Sequence, residues 1–150
     1  MAGVSSFQYE VAKSPELDSQ GNKVTTVMPL GLGEKPKENL QVVTSSGARE
    51  GQRILQLKGA LTIHTVFGFQ DAVRKEAAPE LILDLSGVPY VDSVGIGALV
   101  AVYVGAENAK SKLALAGMNN KVKALAEMTH VIQFFQVYPT VKDAQAAFGV

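Results

Sequence analysis

The chain has 150 residues, nearly half of them apolar, with equal numbers of acidic and basic residues and no cysteine. This length fits one domain with a sizeable core, and the zero formal net charge argues against nucleic acid as the main partner, because such binding depends on basic patches. The missing cysteine excludes disulfides and thiolate zinc sites. The first ten residues do not resemble a signal peptide, and the apolar run 94–106 is too short to cross a membrane. We therefore expect a cytoplasmic protein that does not insert into membranes.

The first 38 residues differ from the rest of the chain. Between Ser14 and Pro36, prolines, glycines and lysines interrupt any regular spacing of apolar residues that would indicate a helix or a strand. Val24–Met28 alone suits a short strand. Such a composition is typical of flexible segments. We predict a flexible extension over residues 1–38, followed by a single folded domain over residues 39–150. The alternative is an extension that docks on this domain or on a partner.

The first half of this domain shows alternating strand and helix patterns. Leu40–Thr44 and Arg53–Leu57 flank a turn-rich segment and predict an antiparallel hairpin. Thr65 is the expected N-cap of a helix that ends before Pro79. The apolar run Leu81–Leu85 then predicts a buried central strand.

In the second half, a helix is predicted from Ser93 to about Asn108, and its residues are apolar on nearly all sides. A helix of this kind is either fully buried or half covered by a partner. The elements expected after it are a strand at Lys112–Ala116, a helix capped by Asn119 or Asn120, a short strand within 131–137, and a last helix opened by Pro139–Thr140 with Thr140 and Asp143 as a capping pair. The order predicts an α/β fold with a mixed sheet of about five strands and about four helices.

Motifs for common enzymatic chemistry are incomplete in this sequence. Gly95 and Gly97 are followed by Val100 where a dinucleotide-binding pattern needs a third small residue, and no nucleotide-hydrolase phosphate loop occurs. The segment around Ser93 lacks the first glycine of a hydrolase nucleophile elbow. His64, like the second histidine of the chain, has no other histidine at ligand spacing. We therefore predict no enzymatic activity, no metal site and no cofactor.

Asp92 and Ser93 stand where the long apolar helix begins. The Ser93 hydroxyl suits an N-cap, which is one interpretation. Because a helix N-terminus also favours anions, a phosphate on Ser93 would be stabilised by the helix and repelled by Asp92, which suggests a switch. Asp84, at the end of a strand, either fixes the following turn or contacts a partner.

Three segments carry a family pattern: Gly59–Leu61, the strand end Asp84-Leu-Ser-Gly, and Val91-Asp-Ser-Val-Gly-Ile-Gly97. Together they resemble the STAS domain, the family of bacterial anti-sigma factor antagonists. The resemblance covers about residues 39–149. It implies a mixed sheet with helices packed mainly on one side, and a protein that binds an anti-sigma factor that is also a serine kinase. It also implies that the kinase phosphorylates Ser93 and dissociates, and that a PP2C-type phosphatase reverses the modification.

On this basis the leading hypothesis is a non-enzymatic switch that sequesters an anti-sigma factor and so frees a sigma factor for transcription. Ser93 is the expected phosphorylation site. The residues expected to contact the partner are Thr62, Asp84, Asp92, Ser93, Val94, Gly95 and Gly97.

Three departures from the family pattern keep other hypotheses open. Thr62 stands where the family often has Asp, Val94 stands where a second serine often follows the first, and the N-terminal extension is long for a single-domain member. These favour a scaffold, or a subunit of a transport or stress-signalling complex, that is never phosphorylated. A third alternative is a small-ligand or nucleotide-binding domain that uses Gly95 and Gly97. A homodimer is also left open.

Overall fold

The computed structural model describes residues 10–11, 16–28 and 39–148. The elements in chain order are β1 (Glu10–Val11), β2 (Glu16–Leu17), β3 (Lys23–Met28), β4 (Leu40–Ser46), β5 (Gln52–Lys58), α1 (Val66–Glu76), β6 (Glu80–Gly87), α2 (Ser93–Ala109), β7 (Lys112–Ala116), α3 (Asn120–Met128), a 3₁₀ turn (Ile132–Phe134), β8 (Gln136–Tyr138) and α4 (Val141–Phe148). The predicted alternation of strands and helices from residue 40 onwards is confirmed.

All strands of the described segments belong to one mixed sheet. Its path is β1-β3-β4-β5-β6-β7-β8, while β2 pairs with β3 away from that path. Strands β3, β4 and β5 are antiparallel neighbours, and β5 to β8 are parallel neighbours. The prediction of about five strands was therefore too low. It counted β4 to β8, whereas the strands before residue 29 lengthen the antiparallel side of the sheet.

The helices cover the two faces of the sheet unequally. One face carries the main core, to which α1, α2 and α3 contribute buried residues such as Phe69, Leu99 and Val122. The other face carries a smaller cluster, in which Ile82 of β6 packs with Phe148 of α4. The alternating side chains of the strands supply both clusters, as the period of two requires. The expected α/β architecture, with helices mainly on one side, is confirmed.

Strand β3 is packed into the main core. Val27 is completely buried, and a Cβ atom added to Gly68 of α1 would lie only 2.4 Å from a methyl carbon of Val27. Lys23 Nζ lies 2.6 Å from the Glu76 carboxylate at the end of α1. The predicted flexibility therefore does not hold for Lys23–Met28, which pairs with β4 and packs on the domain. Residues 1–9, 12–15 and 29–38 lie outside the described part of the chain, so flexibility there stays a prediction.

Side chains cap the later helices as their sequences indicate. The Asn119 side chain accepts a hydrogen bond from the Val122 N–H at 2.9 Å, and the Thr140 hydroxyl accepts one from the Asp143 N–H at 3.1 Å. The last strand lies slightly later than predicted, because the first part of segment 131–137 forms the 3₁₀ turn.

Helix α2 is the longest helix of the described ranges and the most apolar. Several residues of one side are exposed, among them Val94, Ala101 and Val104. Neither this helix nor any other in the described ranges has the length and apolar character that crossing a membrane requires.

Candidate functional site

The loop before α2 lies against the segment that leads into α1. Leu61 and Val91 form a parallel bridge. The Leu61 N–H donates to the Tyr90 carbonyl, and the Asp92 N–H donates to the Leu61 carbonyl, both at 3.2 Å. These bonds bring the starts of the two helices side by side at the carboxyl ends of β5 and β6.

The Asp92 carboxylate accepts hydrogen bonds from the first turn of α2 and from the turn that precedes α1. One carboxylate oxygen accepts from the Gly95 N–H at 2.7 Å, and the other accepts from the Ile63 N–H at 3.0 Å. Asp92 has an extended backbone and is the N-cap of α2. A carboxylate suits this position because it accepts from an otherwise unpaired N–H and opposes the positive end of the helix dipole. The interpretation of Ser93 as the N-cap is therefore wrong, since the cap is the residue before it.

Ser93 is the first residue of α2, and its side chain is exposed. Within the described residues, the Ser93 hydroxyl makes no hydrogen bond, because Asp92 already caps the helix. The hydroxyl is thus accessible and not engaged in holding the fold.

Ser93 is one of several exposed residues at the starts of α1 and α2, and the others include apolar side chains. Ile63 is 53% exposed, Phe67 47% and Val94 41%. We call the residues Ile63, Phe67, Ser93, Val94 and Gly97 the α2 N-terminal surface. Grouped apolar side chains of this kind mark interaction sites more often than single exposed ones do.

The two glycines of the motif have different roles. Gly95 is buried, and an added Cβ atom would lie 2.2 Å from the Leu61 carbonyl oxygen, so this glycine lets α2 approach the loop closely. Gly97 is exposed, with no atom within 4 Å of an added Cβ. Only Gly97 leaves room for another molecule. Since the Gly95 N–H already donates to Asp92, the pair does not form an open phosphate cradle, which removes the basis of the nucleotide-binding alternative.

Thr62 and Asp84 shape the turns beneath this surface. Thr62 is buried, and its hydroxyl accepts from the His64 N–H at 3.2 Å, so little of this side chain is exposed and its contact with a partner stays a prediction. One Asp84 carboxylate oxygen accepts from the Ser86 N–H at 3.0 Å, which matches the turn-fixing interpretation of this residue. The hydroxyl of Thr65 donates to the Ala60 carbonyl at 3.0 Å and does not cap α1, although Thr65 precedes this helix as expected.

The described residues offer little catalytic chemistry near Ser93. Both histidines are exposed, and within the described ranges no three His, Cys, Asp or Glu side chains gather as a metal site. A perturbed carboxyl lies at the other end of β6, where the hydrogen-bonded Arg49 guanidinium lowers the pKa of Glu80 from its ordinary value. Arg49 donates two hydrogen bonds to Glu80, and Gln52 donates a third at 3.0 Å. This network joins the β4–β5 turn to β6 and is structural.

Ile63 and Phe67 were not singled out from the sequence. A signal was present for Phe67, because it lies outside the inward stripe that Val66 and Phe69 form on α1, whereas Ile63 belongs to the turn before this helix. An apolar residue outside the core stripe of an amphipathic helix is a candidate for a contact surface.

Comparison with known proteins identifies the fold. The family model for the STAS domain matches residues 39–144. An anti-sigma factor antagonist from Mycobacterium paratuberculosis is 23% identical, with a TM-score of 0.61 over 71% of this chain and 92% of that one. The anti-sigma factor antagonist SpoIIAA in its unphosphorylated form is 13% identical, with a TM-score of 0.60 over 73% of this chain and 97% of that one.

A transporter also contains a similar domain. The murine Solute Carrier 26 family member A9 anion transporter is 25% identical, with a TM-score of 0.54 over 63% of this chain but only 17% of its own length. The resemblance found in the sequence is thus confirmed by the family match and by the fold. The chain belongs to the STAS domain family.

Proposed function

We propose that this protein is an anti-sigma factor antagonist whose α2 N-terminal surface binds an anti-sigma factor, and that phosphorylation of Ser93 ends this binding. The observation that carries the proposal is the Ser93 hydroxyl, which is exposed, without a described hydrogen-bond partner, and set among exposed Ile63, Phe67 and Val94. The similarity of the fold to anti-sigma factor antagonists supports it.

The energetic effect of a phosphate at this position is large. Phosphorylation adds about −1.5 to −2 charge units and three strong acceptor oxygens. A partner that covers Val94 and Ile63 would have to desolvate this dianion, and an unpaired charge at an interface commonly costs about 2–5 kcal/mol. Since each 1.4 kcal/mol corresponds to about tenfold in affinity, a micromolar complex would dissociate.

The helix itself does not need to unfold in this switch. Asp92 keeps its bonds to Gly95 and Ile63, and the helix dipole stabilises a phosphate in the first turn. The added repulsion falls between the phosphate and the Asp92 carboxylate, next to the surface that the partner covers. The switch therefore acts on the interface and leaves the core unchanged.

The remaining partners follow from the same proposal. The anti-sigma factor is also the serine kinase that modifies Ser93, and a PP2C-type phosphatase restores the binding form. Gly97 admits the partner backbone, while Asp92 and Gly95 hold the α2 start in place beneath the contact.

Incubation of the protein with the cognate kinase and ATP, followed by mass spectrometry, tests the modification. The anti-sigma factor should bind the Ser93→Glu variant at least about tenfold more weakly than it binds the parent protein. Ser46→Glu is the matched control, because Ser46 is exposed at the end of β4 and lies outside the α2 N-terminal surface. An unmodified Ser93, or full binding by Ser93→Glu, would contradict the proposal.

A second candidate function is a STAS subunit of a transport or stress-signalling complex that is never phosphorylated. The exposed Val94 next to Ser93 and the similarity to a domain of an anion transporter favour it. It predicts a stable complex with a transport component that is insensitive to both Ser93→Ala and Ser93→Glu. Co-purification of the native complex with each variant separates the two functions.

A further inference from the structure

A groove of about 640 Å³ lies between the C-terminal halves of α1 and α2. Its apolar lining comes from both helices and from the segment that joins α1 to β6, with Leu81 of β6 nearly buried. We call it the α1–α2 groove. Its apolar lining includes Val73, Pro79, Leu81, Ala101, Gly105 and Ala109.

The shape of the groove suits a single narrow ligand. The α2 residues of the lining run from Ala101 to Ala109, which corresponds to about 12 Å of helix. Most of them are alanine or glycine, and nothing lies within 4 Å of a Cβ atom added to Gly105. The volume falls within the range of about 300–1,000 Å³ that is typical of small-molecule sites. An extended hydrocarbon chain along α2 would fill this space.

The charge of the lining is positive. Arg74 and Lys110 belong to it, and no carboxylate does. Arg74 lies 3.5 Å from Asp71, but its side chain is 72% exposed, so this ion pair holds the guanidinium weakly. In the described residues the Lys110 ammonium makes no ion pair.

Helix capping does not account for the Lys110 side chain. Basic residues often stabilise helix C-termini. Here, however, the backbone N–H groups of Lys110 and Ser111 already donate to the carbonyls of Glu107 and Ala106. The two cations thus remain available to an anionic group at the end of the groove.

We propose that the α1–α2 groove binds one alkyl carboxylate of medium length, with its tail along Ala101 and Gly105 and its carboxylate at Arg74 and Lys110. The apolar lining accounts for the hydrocarbon tail, and the two cations account for the acid. None of these residues belongs to the α2 N-terminal surface. The ligand site and the proposed phosphorylation switch can therefore succeed or fail separately.

Calorimetry and amide NMR of the full chain with decanoate, below its micelle-forming concentration, test the proposal. We expect saturable binding, with shifts of the amides of α1 and α2 that line the groove. Each methylene removed from the ligand should weaken binding by up to about fourfold, so octanoate should bind several-fold more weakly than decanoate. Decyltrimethylammonium, which has a similar tail and the opposite charge, should not bind there.

Two kinds of variant locate the ligand. Ala101→Leu and Gly105→Leu fill the groove and should weaken decanoate binding at least about tenfold, while Ala124→Leu on the exposed side of α3 is the matched control. The double variant Arg74→Gln, Lys110→Gln should reduce the preference for the acid over the cationic probe.

Absence of saturable binding would overturn the proposal, as would equal binding by the filled variants or equal affinity for the cationic probe. Concentration-dependent self-association that Gly105→Leu abolishes, without decanoate binding, would overturn it as well and would assign the groove to a second copy of the chain. Neither outcome bears on phosphorylation of Ser93.

Discussion

Neighbouring residues of α1 contribute to two very different surfaces. Gly68 is buried under Val27 of β3, whereas Phe67 is 47% exposed at the α2 N-terminal surface. On the first side the chain covers the helix with its own strand and adds the ion pair of Lys23 with Glu76. On the second side the apolar side chains of Phe67, and of Ile63 just before the helix, stay about half exposed. One side of α1 is therefore covered by a strand of the same chain, whereas the other side keeps apolar surface exposed.

The two regions should respond differently to substitution. Complete burial of a side chain such as Val27 stabilises a fold by about 1.5–3 kcal/mol. Ile63 and Val94 keep about half of their surface in water, so they contribute little to the folding free energy. The free energy of unfolding should depend on the packing of β3 against α1 and on the contacts of Asp92 and Gly95 with the segment before α1. Partner binding should depend on the exposed residues of the α2 N-terminal surface.

The largest loss of stability is expected for Gly95→Ala, at about 3 kcal/mol. Its Cβ would lie 2.2 Å from the Leu61 carbonyl oxygen, a backbone atom that can move only if the paired loops separate. Denaturant unfolding followed by circular dichroism measures the change. Gly97→Ala, on the same helix in open space, should be neutral or slightly stabilising, and equal stability of the two variants would contradict the assignment of Gly95 as a packing residue.

Gly68→Ala should cost about 2 kcal/mol, because its Cβ would lie 2.4 Å from a methyl carbon of Val27 and would displace β3 from α1. The same unfolding experiment measures it. A stability equal to that of the parent protein would mean that β3 does not pack on α1 in solution. The loss in the double variant Val27→Ala, Gly68→Ala should be smaller than the sum of the two single losses, since the smaller side chain leaves room for the added methyl.

Asp92→Ala should destabilise the protein by about 1–2 kcal/mol, because it removes the N-cap of α2 and leaves the Ile63 N–H without its acceptor. Asp92→Asn keeps an acceptor and should lose less. Hydrogen exchange at the amides of Ile63 and Gly95 should accelerate in the alanine variant. Unchanged exchange at both amides would refute the double role of this carboxylate.

Lys23→Met should have a small effect of about 0.5 kcal/mol, because Lys23 is 40% exposed and the Glu76 carboxylate, whose side chain is only 9% exposed, retains the Arg53 guanidinium at 3.9 Å. The loss should shrink as salt concentration rises. Unfolding curves at two ionic strengths, with Lys121→Met on the exposed side of α3 as the control, measure it. A loss above about 2 kcal/mol would mean that the Lys23–Glu76 ion pair is far better shielded from solvent than the 40% exposure of Lys23 indicates.

Val94→Ser should change stability by less than about 0.5 kcal/mol, because Val94 is 41% exposed. Binding of the anti-sigma factor should nevertheless weaken at least several-fold if the partner buries this side chain. Surface plasmon resonance alongside thermal unfolding separates the two effects. Unchanged binding would place the contact elsewhere on α2.

Local patterns predicted most of the elements, since each depends on neighbours in the chain. The hairpin of β4 and β5, the strand β6 and the cap at Asn119 all follow from short-range periodicity and turn chemistry. The pairing of β3 with β4 does not, because residues 29–39 separate the two strands and the packing partner of Val27 is a distant glycine. Packing of this kind leaves no local pattern.

The position of Asp92 and Ser93 at the start of α2 was predicted, but the contacts around them were not. The motif located Asp92 and Ser93 at a helix start, but the choice of cap depends on a bond to Ile63, which is remote in the sequence. In the same way Gly95 and Gly97 look alike in the chain, and only the Leu61 carbonyl distinguishes the buried one from the exposed one.

The two hydrogen bonds that Asp92 accepts also provide a way to detect phosphorylation of Ser93. The amides of Ile63 and Gly95 each donate to a different oxygen of one carboxylate, which is adjacent to Ser93 in the chain. Any change in the charge at Ser93 alters the electron density of that carboxylate and so the chemical shifts of both amides. Two NMR signals, one from each side of the loop contact, would therefore report the state of Ser93 in isotope-labelled protein without a partner, an antibody or an added probe.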